Sequence, residues 1–183
     1  MDVTLRRART ADVRGIRGLV DQYVTDRRLL SKATVALYED VQEFWVAEAV
    51  GPDGTGADAA GGSDGVGGRI VGCGALHVLW EDLAEIRTVA VDAAWRGHKI
   101  GHRLVAELIA AARGLGVRRL FVLTFETAFF GSFGFVPIDG TPVPPEVYRQ
   151  LLQSYDEGVA EFLDLERVKP NTLGNTRMLL HLG

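Results

Sequence analysis

The sequence predicts an α/β fold with a mixed central sheet of about seven strands and flanking helices. Runs rich in β-branched and aromatic residues alternate along the chain with segments whose apolar residues recur at helical spacing. Residues 83–108, LAEIRTVAVDAAWRGHKIGHRLVAEL, place a strand, a tight turn and a helix in direct succession. A further apolar run at 118–124 follows that helix, and a right-handed crossover would make the two strands parallel.

The N-terminal part is predicted to supply one strand and two helices before a second strand. Residues 3–7 alternate weakly, which favours a strand, and Thr10 is a suitable N-cap for the next helix. That helix has one apolar face, formed by Val13, Ile16, Leu19, Val20, Tyr23 and Val24. A short helix over 35–41 and a strand over 42–50 follow.

The middle of the chain combines a low-complexity segment with a long strand. Residues 51–68 are almost entirely Gly, Ala, Asp and Ser, which cannot bury enough apolar area to offset the entropy of ordering. We expect a flexible loop with no chemical role. Arg69–Trp80 is predicted to be a long strand, in which Gly72 and Gly74 mark a bulge or a close approach.

The turn after residue 91 is the strongest candidate for a binding site. A turn that leads into a helix leaves several backbone N–H groups without partners at the positive end of the helix dipole. The segment 96–101, RGHKIG, is such a turn, and it precedes apolar residues at helical spacing. We therefore expect it to bind a phosphate or pyrophosphate group.

The C-terminal part is predicted to complete the sheet. Residues 129–135, FFGSFGF, favour a short helical turn and the start of a strand. Prolines at 142, 144 and 145 introduce a helix, and 175–182 form a closing strand. The carboxylate-rich stretch 156–166 is interpreted as a solvated face.

Composition limits the function further. A chain of 183 residues with 47% apolar residues predicts a single domain over 1–183. The formal charge of −4 argues against a nucleic-acid surface. One cysteine, Cys73, excludes an internal disulfide and a cysteine-based metal cluster, and no metal is predicted. Without a leader or a membrane span, we expect a cytoplasmic protein, and a homodimer is compatible with the sequence.

Two segments carry a family resemblance. The strand, turn and helix over 83–108 resemble the acetyl-CoA-binding motif of the GNAT N-acetyltransferases, whose usual pattern is Gln/Arg-x-x-Gly-x-Gly/Ala. Arg96 and Gly101 match its ends, whereas Lys99 stands where the first glycine usually is. The block 129–135 is similar to the family's Phe-Tyr-x-x-x-Gly-Phe. The resemblance implies the GNAT fold, with a V-shaped splay between two parallel central strands, and acetyl-CoA as co-substrate.

A narrower resemblance concerns the acceptor. The segments 28–32, 72–76, 85–91, 119–124 and 134–135 look like the acetyltransferase domain of N-acetylglutamate synthases, in a short form without the amino-acid-kinase domain. This implies direct transfer of acetyl to the α-amino group of L-glutamate or L-glutamine in a ternary complex, as the first step of arginine biosynthesis. The implied partner is therefore a small-molecule amino acid.

The resemblance also suggests site residues. The resemblance implies that acetyl-CoA is bound by the end of the strand and by the turn that follows it. These residues are Val89, Ala90, Val91, Arg96, Gly97, His98, Lys99, Ile100, Gly101 and His102. Glu85 is the first candidate for the general base and Glu126 the second, and an N–H near Val89 or Ala90 would stabilise the oxyanion. The substrate's carboxylates would meet Lys32, Lys169, Asn175, Thr176 and Arg177.

Two other functions remain open at this point. Phe130 occupies the position where many relatives have a Tyr that protonates the leaving thiolate. The sequence does not rank Tyr23, Tyr38, Tyr148 and Tyr155 as replacements for that acid. An acetyltransferase for another amine, such as a peptide N-terminus, a polyamine or an antibiotic, would use the same cofactor site. A non-catalytic acyl-CoA-binding module is the third alternative, motivated by Phe130 and Lys99.

Overall fold

The structure is a computed structural model that describes residues 2–24, 29, 32–50, 68–171 and 174–183, with only the backbone for 169–171. Most of the segment expected to be a loop, 51–67, therefore lies outside the described residues. The same holds for Arg28, Leu30 and Ser31 of the first synthase-like segment.

Except for one α-helix near the C-terminus, the α-helices and strands follow the predicted order. The strands are β1 (Asp2–Arg7), β2 (Phe44–Val50), β3 (Arg69–Trp80), β4 (Leu83–Val91), β5 (Arg119–Thr124), β6 (Val136–Pro137) and β7 (Thr176–His181). The α-helices are α1 (Val13–Val24), α2 (Thr34–Glu39), α3 (Ile100–Gly114), α4 (Thr127–Gly131), α5 (Pro145–Leu151) and α6 (Glu157–Phe162). Short 3-10 helices cover Thr10–Asp12, Val41–Glu43, Ala93–Trp95 and Glu166–Asn171.

The described strands form a seven-stranded sheet in the order β1-β2-β3-β4-β5-β7-β6. β4 and β5 are parallel, with Leu83–Glu85 in register with Arg119–Phe121. β4 continues to Val91 and β5 to Thr124, so this register covers only the first part of both strands. The predicted mixed α/β fold with a parallel central pair is therefore confirmed.

The chain divides into two compact units. The first comprises Met1–Leu76 and Thr88–Ala110, and the second comprises His77–Arg87 and Ala111–Gly183. The expectation of a single domain over 1–183 stays a prediction.

The core of the first unit follows from the helical period of α1. Four residues of α1 at three- and four-residue spacing are buried in one cluster: Val13, Ile16, Leu19 and Val20. They pack there with residues of β2, β3 and β4, namely Phe44, Val46, Cys73, Ala75 and Ala90. Gly72 is a point of close approach, as predicted, because a Cβ there would lie 2.9 Å from Ile100 and 3.0 Å from Leu104 of α3. α3 can therefore pack directly on the backbone of β3.

The start of α1 differs from the prediction. Thr10 is not the N-cap of α1, because it opens a 3-10 helix that precedes it. The Asp12 carboxylate accepts a hydrogen bond from the Arg9 amide at 2.7 Å and forms an ion pair with Arg6 at 2.7 Å. These contacts stabilise the turn in place of a threonine cap.

The second unit contains a helix that the sequence analysis missed. α6 lies within the carboxylate-rich stretch that we interpreted as a solvated face, yet Glu161 is 8% exposed and Phe162 is fully buried. The Phe162 ring packs edge-on against Phe121 with centroids 5.3 Å apart. Apolar packing therefore buries the middle of this stretch, whereas Glu157, Asp164 and Glu166 are exposed. The interpretation as a solvated face holds for those three carboxylates and is wrong for residues 158–163.

Candidate active site

One edge of the last part of β4 offers backbone groups for a ligand. The Asp92 amide donates to the Val71 carbonyl at 2.9 Å, and the Ala90 amide faces the Cys73 thiol, so these two residues point toward β3. Successive residues of a strand direct their backbone groups to opposite edges. The N–H and C=O groups of Val89 and Val91 therefore point to the other edge.

Two further features distinguish this part of β4. Thr88 has a φ of 57°, a left-handed conformation that is a genuine outlier for a β-branched residue and indicates local backbone strain. The Tyr23 hydroxyl donates a hydrogen bond to the Val91 carbonyl on the open edge. Sequence analysis placed Tyr23 on the apolar face of α1 and left it unranked among the tyrosines that could replace the missing acid, and no local signal predicts this contact.

Cys73 contributes to the core behind β4. It is fully buried, and its thiol lies 3.6 Å from the Thr88 carbonyl oxygen. Burial raises the pKa of the Cys73 thiol to about 12, so the thiolate needed for nucleophilic catalysis is scarce at neutral pH. Cys73 is therefore a packed core residue rather than a nucleophile.

The turn before α3 contains two left-handed residues. Gly97 has a φ of +85° and Lys99 a φ of +57°, and only the glycine adopts this conformation without steric cost. For Lys99 the cost is about 1–2 kcal/mol. The His98 ring packs near Trp95 at a centroid distance of 5.5 Å, and its Nδ1 lies 3.2 Å from the Trp95 carbonyl oxygen.

The start of α3 has the donors that an anion requires. The Arg103 amide donates to the Lys99 carbonyl at 3.0 Å and is the first amide of α3 with an acceptor in the preceding turn. The amides of Ile100, Gly101 and His102 come before it and have no acceptor within the helix. The side chains of Arg96, His98 and Lys99 are exposed around this turn. Converging amides at the positive end of a helix dipole, with two cationic side chains, fit the diphosphate of a nucleotide-linked coenzyme.

The second unit holds a buried cluster of charged side chains around Glu85. Glu85 is 3% exposed, and its Oε2 lies 3.9 Å from Arg87 Nη1. The same Arg87 nitrogen donates to both carboxylate oxygens of Asp156, at 2.9 and 3.1 Å. His77 Nε2 lies 3.6 Å from Asp156 Oδ2. Of these residues, sequence analysis singled out only Glu85 for the site.

The charge of Asp156 is maintained by its neighbours. Burial by itself would raise the pKa of Asp156, but the hydrogen bond and the charge of Arg87, with a smaller effect of His77, hold the pKa below its ordinary value. Asp156 also accepts a hydrogen bond from the Val159 amide at 3.1 Å and so caps α6. The cluster is therefore anchored to the helix.

Glu126 and Phe130 lie near the end of β5. Glu126 is exposed and immediately precedes α4, and its amide donates to Thr124 Oγ1 at 2.9 Å. Phe130 is 5% exposed and contacts Phe129 and Phe135 edge-on. The residue at the usual tyrosine position is thus part of an aromatic core.

The proposed carboxylate-binding residues are distributed over both units. Lys32 belongs to the first unit, and its Nζ lies 3.5 Å from Asp40 Oδ2. Lys169 belongs to the 3-10 helix Glu166–Asn171 of the second unit, but its side chain lies outside the described part. Thr176 pairs with Thr124 at the start of β7. Asn175, one residue earlier, has a buried Oδ1 with no hydrogen-bond partner among the residues described.

Arg177 has structural contacts of its own. Its Nη1 donates to the Gly140 carbonyl at 3.0 Å, and its Nη2 donates to the Phe162 carbonyl. The guanidinium lies over the Phe121 ring, 5.9 Å from the centroid, and burial lowers the pKa of Arg177. In the structure this side chain therefore connects three segments of the second unit.

Two other kinds of feature are absent from the described ranges. Among those residues, no group of three or more His, Cys, Asp or Glu side chains is arranged to hold a metal ion. No helix in the same ranges has both the length and the apolar character of a membrane span.

Within the first unit, the open edge of β4 and the start of α3 are features of α/β transferases that use a nucleotide-linked coenzyme. The model of the acetyltransferase (GNAT) family matches residues 32–135. The chain belongs to the GNAT family of acetyltransferases, and the predicted family, fold and acyltransferase class are confirmed.

The sequence is similar to those of two amino-acid acetyltransferases. The chain is 58% identical over 178 residues to an amino-acid acetyltransferase of Mycobacterium tuberculosis, covering 97% of this chain and 94% of that protein. It is 31% identical over 146 residues to an amino-acid acetyltransferase of Aeromonas salmonicida, covering 79% of this chain and 29% of that protein.

Solved structures agree with the fold. A crystal structure of a Mycobacterium tuberculosis protein in complex with CoA and NLQ superposes with a TM-score of 0.84 at 57% identity, covering 98% of this chain and 99% of that one. N-acetylglutamate synthase of Neisseria gonorrhoeae, complexed with coenzyme A and N-acetyl-glutamate, gives a TM-score of 0.72 at 22% identity. That match covers 100% of this chain and 36% of the synthase, and it supports the fold alone.

Proposed function

We propose that this chain is an amino-acid N-acetyltransferase that moves acetyl from acetyl-CoA to the α-amino group of L-glutamate or L-glutamine, as the first step of arginine biosynthesis. The observation that carries the proposal is the 58% identity to an amino-acid acetyltransferase over 97% of this chain. Because acetyl-CoA and free amino acids meet in the cytoplasm, we propose that it acts there.

The residues of the first unit would bind the coenzyme. The Val89 and Val91 backbone groups on the open edge of β4 suit the amides of a pantetheine arm, which would pair there like an added strand. Ala90 lies between them, and its amide faces the Cys73 thiol of β3. The diphosphate would be bound by the turn and the start of α3, through Arg96, Gly97, His98, Lys99, Ile100, Gly101 and His102. When bound, acetyl-CoA supplies the acetyl group in activated form, as a thioester.

The acceptor must lose a proton before it can attack. An α-amino group has a pKa of about 8 in peptides, so most of it is protonated near neutrality. We propose Glu85 as the base that accepts this proton, directly or through a water molecule, because its carboxylate is buried beside Arg87. Glu126 is the second candidate, and its exposure makes it the less constrained of the two.

The oxygen that gains negative charge during transfer needs a donor. Of the two amides considered, that of Ala90 faces Cys73, whereas that of Val89 points to the open edge. We therefore assign the oxyanion donor to the Val89 amide. In comparable sites one such donor is worth about 3–4 kcal/mol of transition-state stabilisation.

Acceptor binding would use cationic and amide groups. We propose Lys32, Lys169, Asn175, Thr176 and Arg177 for the substrate's carboxylates. The buried Asn175 Oδ1 adds an acceptor for a ligand N–H. Arg177 remains in this set, although binding a carboxylate would require it to leave the Gly140 or Phe162 carbonyl.

A thiol-release assay tests the proposal. CoA release from acetyl-CoA would be followed with L-glutamate, L-glutamine and a panel of peptide, polyamine and antibiotic amines. We expect release with glutamate or glutamine. Release only with the other amines would overturn the assigned acceptor, and acetyl-CoA binding without release for any amine would favour a non-catalytic module.

A further inference from the structure

Gly158 of α6 lies directly against the Glu85 carboxylate. A Cβ at Gly158 would be 2.0 Å from Glu85 Oε2, far closer than non-bonded atoms can approach, and 3.0 Å from Glu85 Cδ. It would also lie 3.0 Å from Asp156 Oδ1. The three nearest atoms thus all belong to the two carboxylate side chains, and none belongs to the backbone.

The backbone conformation does not explain why residue 158 is a glycine. Gly158 is buried within α6, and the left-handed glycines of the chain do not include it. Alanine is the most favourable residue in a helix and glycine one of the least favourable. The lack of a side chain at 158 is therefore best explained by the space that the Glu85 carboxylate occupies.

The surroundings limit where the carboxylate could move. Arg87 Nη1 lies 3.9 Å from Glu85 Oε2 and is bound to Asp156 at 2.9 Å. Asp156 is held in turn by the Val159 amide and faces His77. A methyl group at 158 would therefore displace the Glu85 carboxylate within a charged cluster and crowd Asp156 Oδ1.

We propose that Gly158 is a positioning residue that fixes the Glu85 carboxylate for proton transfer from the acceptor. In this step an N–H bond of the substrate's α-ammonium group breaks, an O–H bond forms on Glu85, and the amine keeps the lone pair with which it attacks. The inference rests on the proposed function, because it assigns Gly158 a role only if Glu85 is the base.

The test compares Gly158→Ala with Gly114→Ala in the full chain. Gly114 ends α3 and is exposed, and a methyl group there would have no neighbour within 4 Å, so it controls for the gain in helix propensity. We expect kcat of G158A with its best amino acid to fall at least tenfold and its pH profile to shift, with the KM for acetyl-CoA unchanged. G114A should keep the wild-type kcat. A wild-type kcat and pH profile in G158A would overturn the inference.

A double-mutant cycle separates positioning from folding. With the carboxylate removed in Glu85→Ala, the methyl has space, so E85A and E85A/G158A should share the same residual kcat. A further tenfold loss in the double variant would show that Gly158 acts independently of Glu85 and would overturn the inference. If G158A alone proves too unstable to assay, restored folding in E85A/G158A supports the contact, and continued misfolding contradicts it.

The same data distinguish the two proposals. Full activity in E85A would remove Glu85 from the mechanism, and Gly158 with it. Inactive E85A with fully active G158A would overturn only the positioning role. Absence of CoA release by the wild-type protein with glutamate and glutamine would refute the proposed function, whereas the stability coupling between Glu85 and Gly158 would still be measurable.

Discussion

The Tyr23 hydroxyl donates a hydrogen bond to the Val91 carbonyl oxygen, on the edge of β4 where we propose that the pantetheine arm binds. In the free protein the hydroxyl thus satisfies an acceptor that the coenzyme would otherwise use. If the pantetheine arm binds there as proposed, it would displace the Tyr23 hydroxyl from this carbonyl.

Removing that hydroxyl should strengthen coenzyme binding. In Tyr23→Phe, a hydrogen bond worth about 1 kcal/mol is lost from the free protein and no longer has to be broken on binding. The Kd for CoA, measured by calorimetry, should fall about fivefold, with kcat little changed. A higher Kd in the variant would show instead that the hydroxyl contacts the ligand.

The left-handed Lys99 should limit stability. Replacement by glycine removes a strain of about 1–2 kcal/mol, part of which the greater freedom of the unfolded chain offsets. We expect Lys99→Gly to raise the free energy of unfolding in urea by about 1 kcal/mol. Lys99→Ala removes the charge but keeps the strain, so it should leave stability close to that of the wild type. Equal stability in all three proteins would contradict strain at this position.

The charged cluster in the second unit should give stability that depends on pH. Because the folded-state pKa of Asp156 lies below its ordinary value of 3.8, the stabilisation is complete well above pH 3.8 and is lost as the pH falls through the folded-state pKa. The difference in unfolding free energy between wild type and Asp156→Asn should therefore shrink on acidification below about pH 5. A constant difference from about pH 6 to about pH 3 would argue against the Arg87 pairing.

Arg6 should be more important for stability than most surface arginines. It pairs at 2.7 Å with both Asp12 and Glu48, and its hydrogen bonds hold the pKa of each carboxyl below its usual range despite burial. Removing one partner of such a partly buried network costs about 3 kcal/mol, so Arg6→Met should lower the unfolding free energy by that amount.

The matched control for Arg6 is Arg167. Arg167 forms an ion pair with Glu157, and the two side chains are 46% and 59% exposed. Such exposed pairs contribute about 0–1 kcal/mol to stability. Arg167→Met should therefore change the unfolding free energy by less than about 1 kcal/mol. Similar losses of unfolding free energy in both variants would mean that the Arg6 network contributes no more to stability than an exposed ion pair.

The features that sequence analysis predicted correctly depend on local patterns. β3 has the predicted ends, Arg69 and Trp80, because an apolar run between a glycine-rich segment and two acidic residues determines both. The turn before α3 was predicted from its position between a strand and a segment whose apolar residues recur at helical spacing. The family resemblance then supplied the coenzyme, which no periodicity in the chain could specify.

The features that were missed depend on contacts between distant residues. Arg87 and Asp156 are 69 positions apart, and neither belongs to a motif that predicts the ion pair. Without this pairing, the acidic stretch that contains α6 has the pattern of a solvated surface. Tyr23 and Val91, 68 positions apart, illustrate the same limit, since α1 alone indicates only that Tyr23 lies on an apolar face.

The burial of Cys73 has a practical consequence for measuring turnover. The chain contains one cysteine, and its thiol is fully buried with a pKa raised to about 12. Disulfide dyes such as Ellman's reagent react with accessible thiolates, so the native protein should give almost no background colour. Each equivalent of dye consumed during a reaction would then count one molecule of liberated coenzyme, without correction for the enzyme itself.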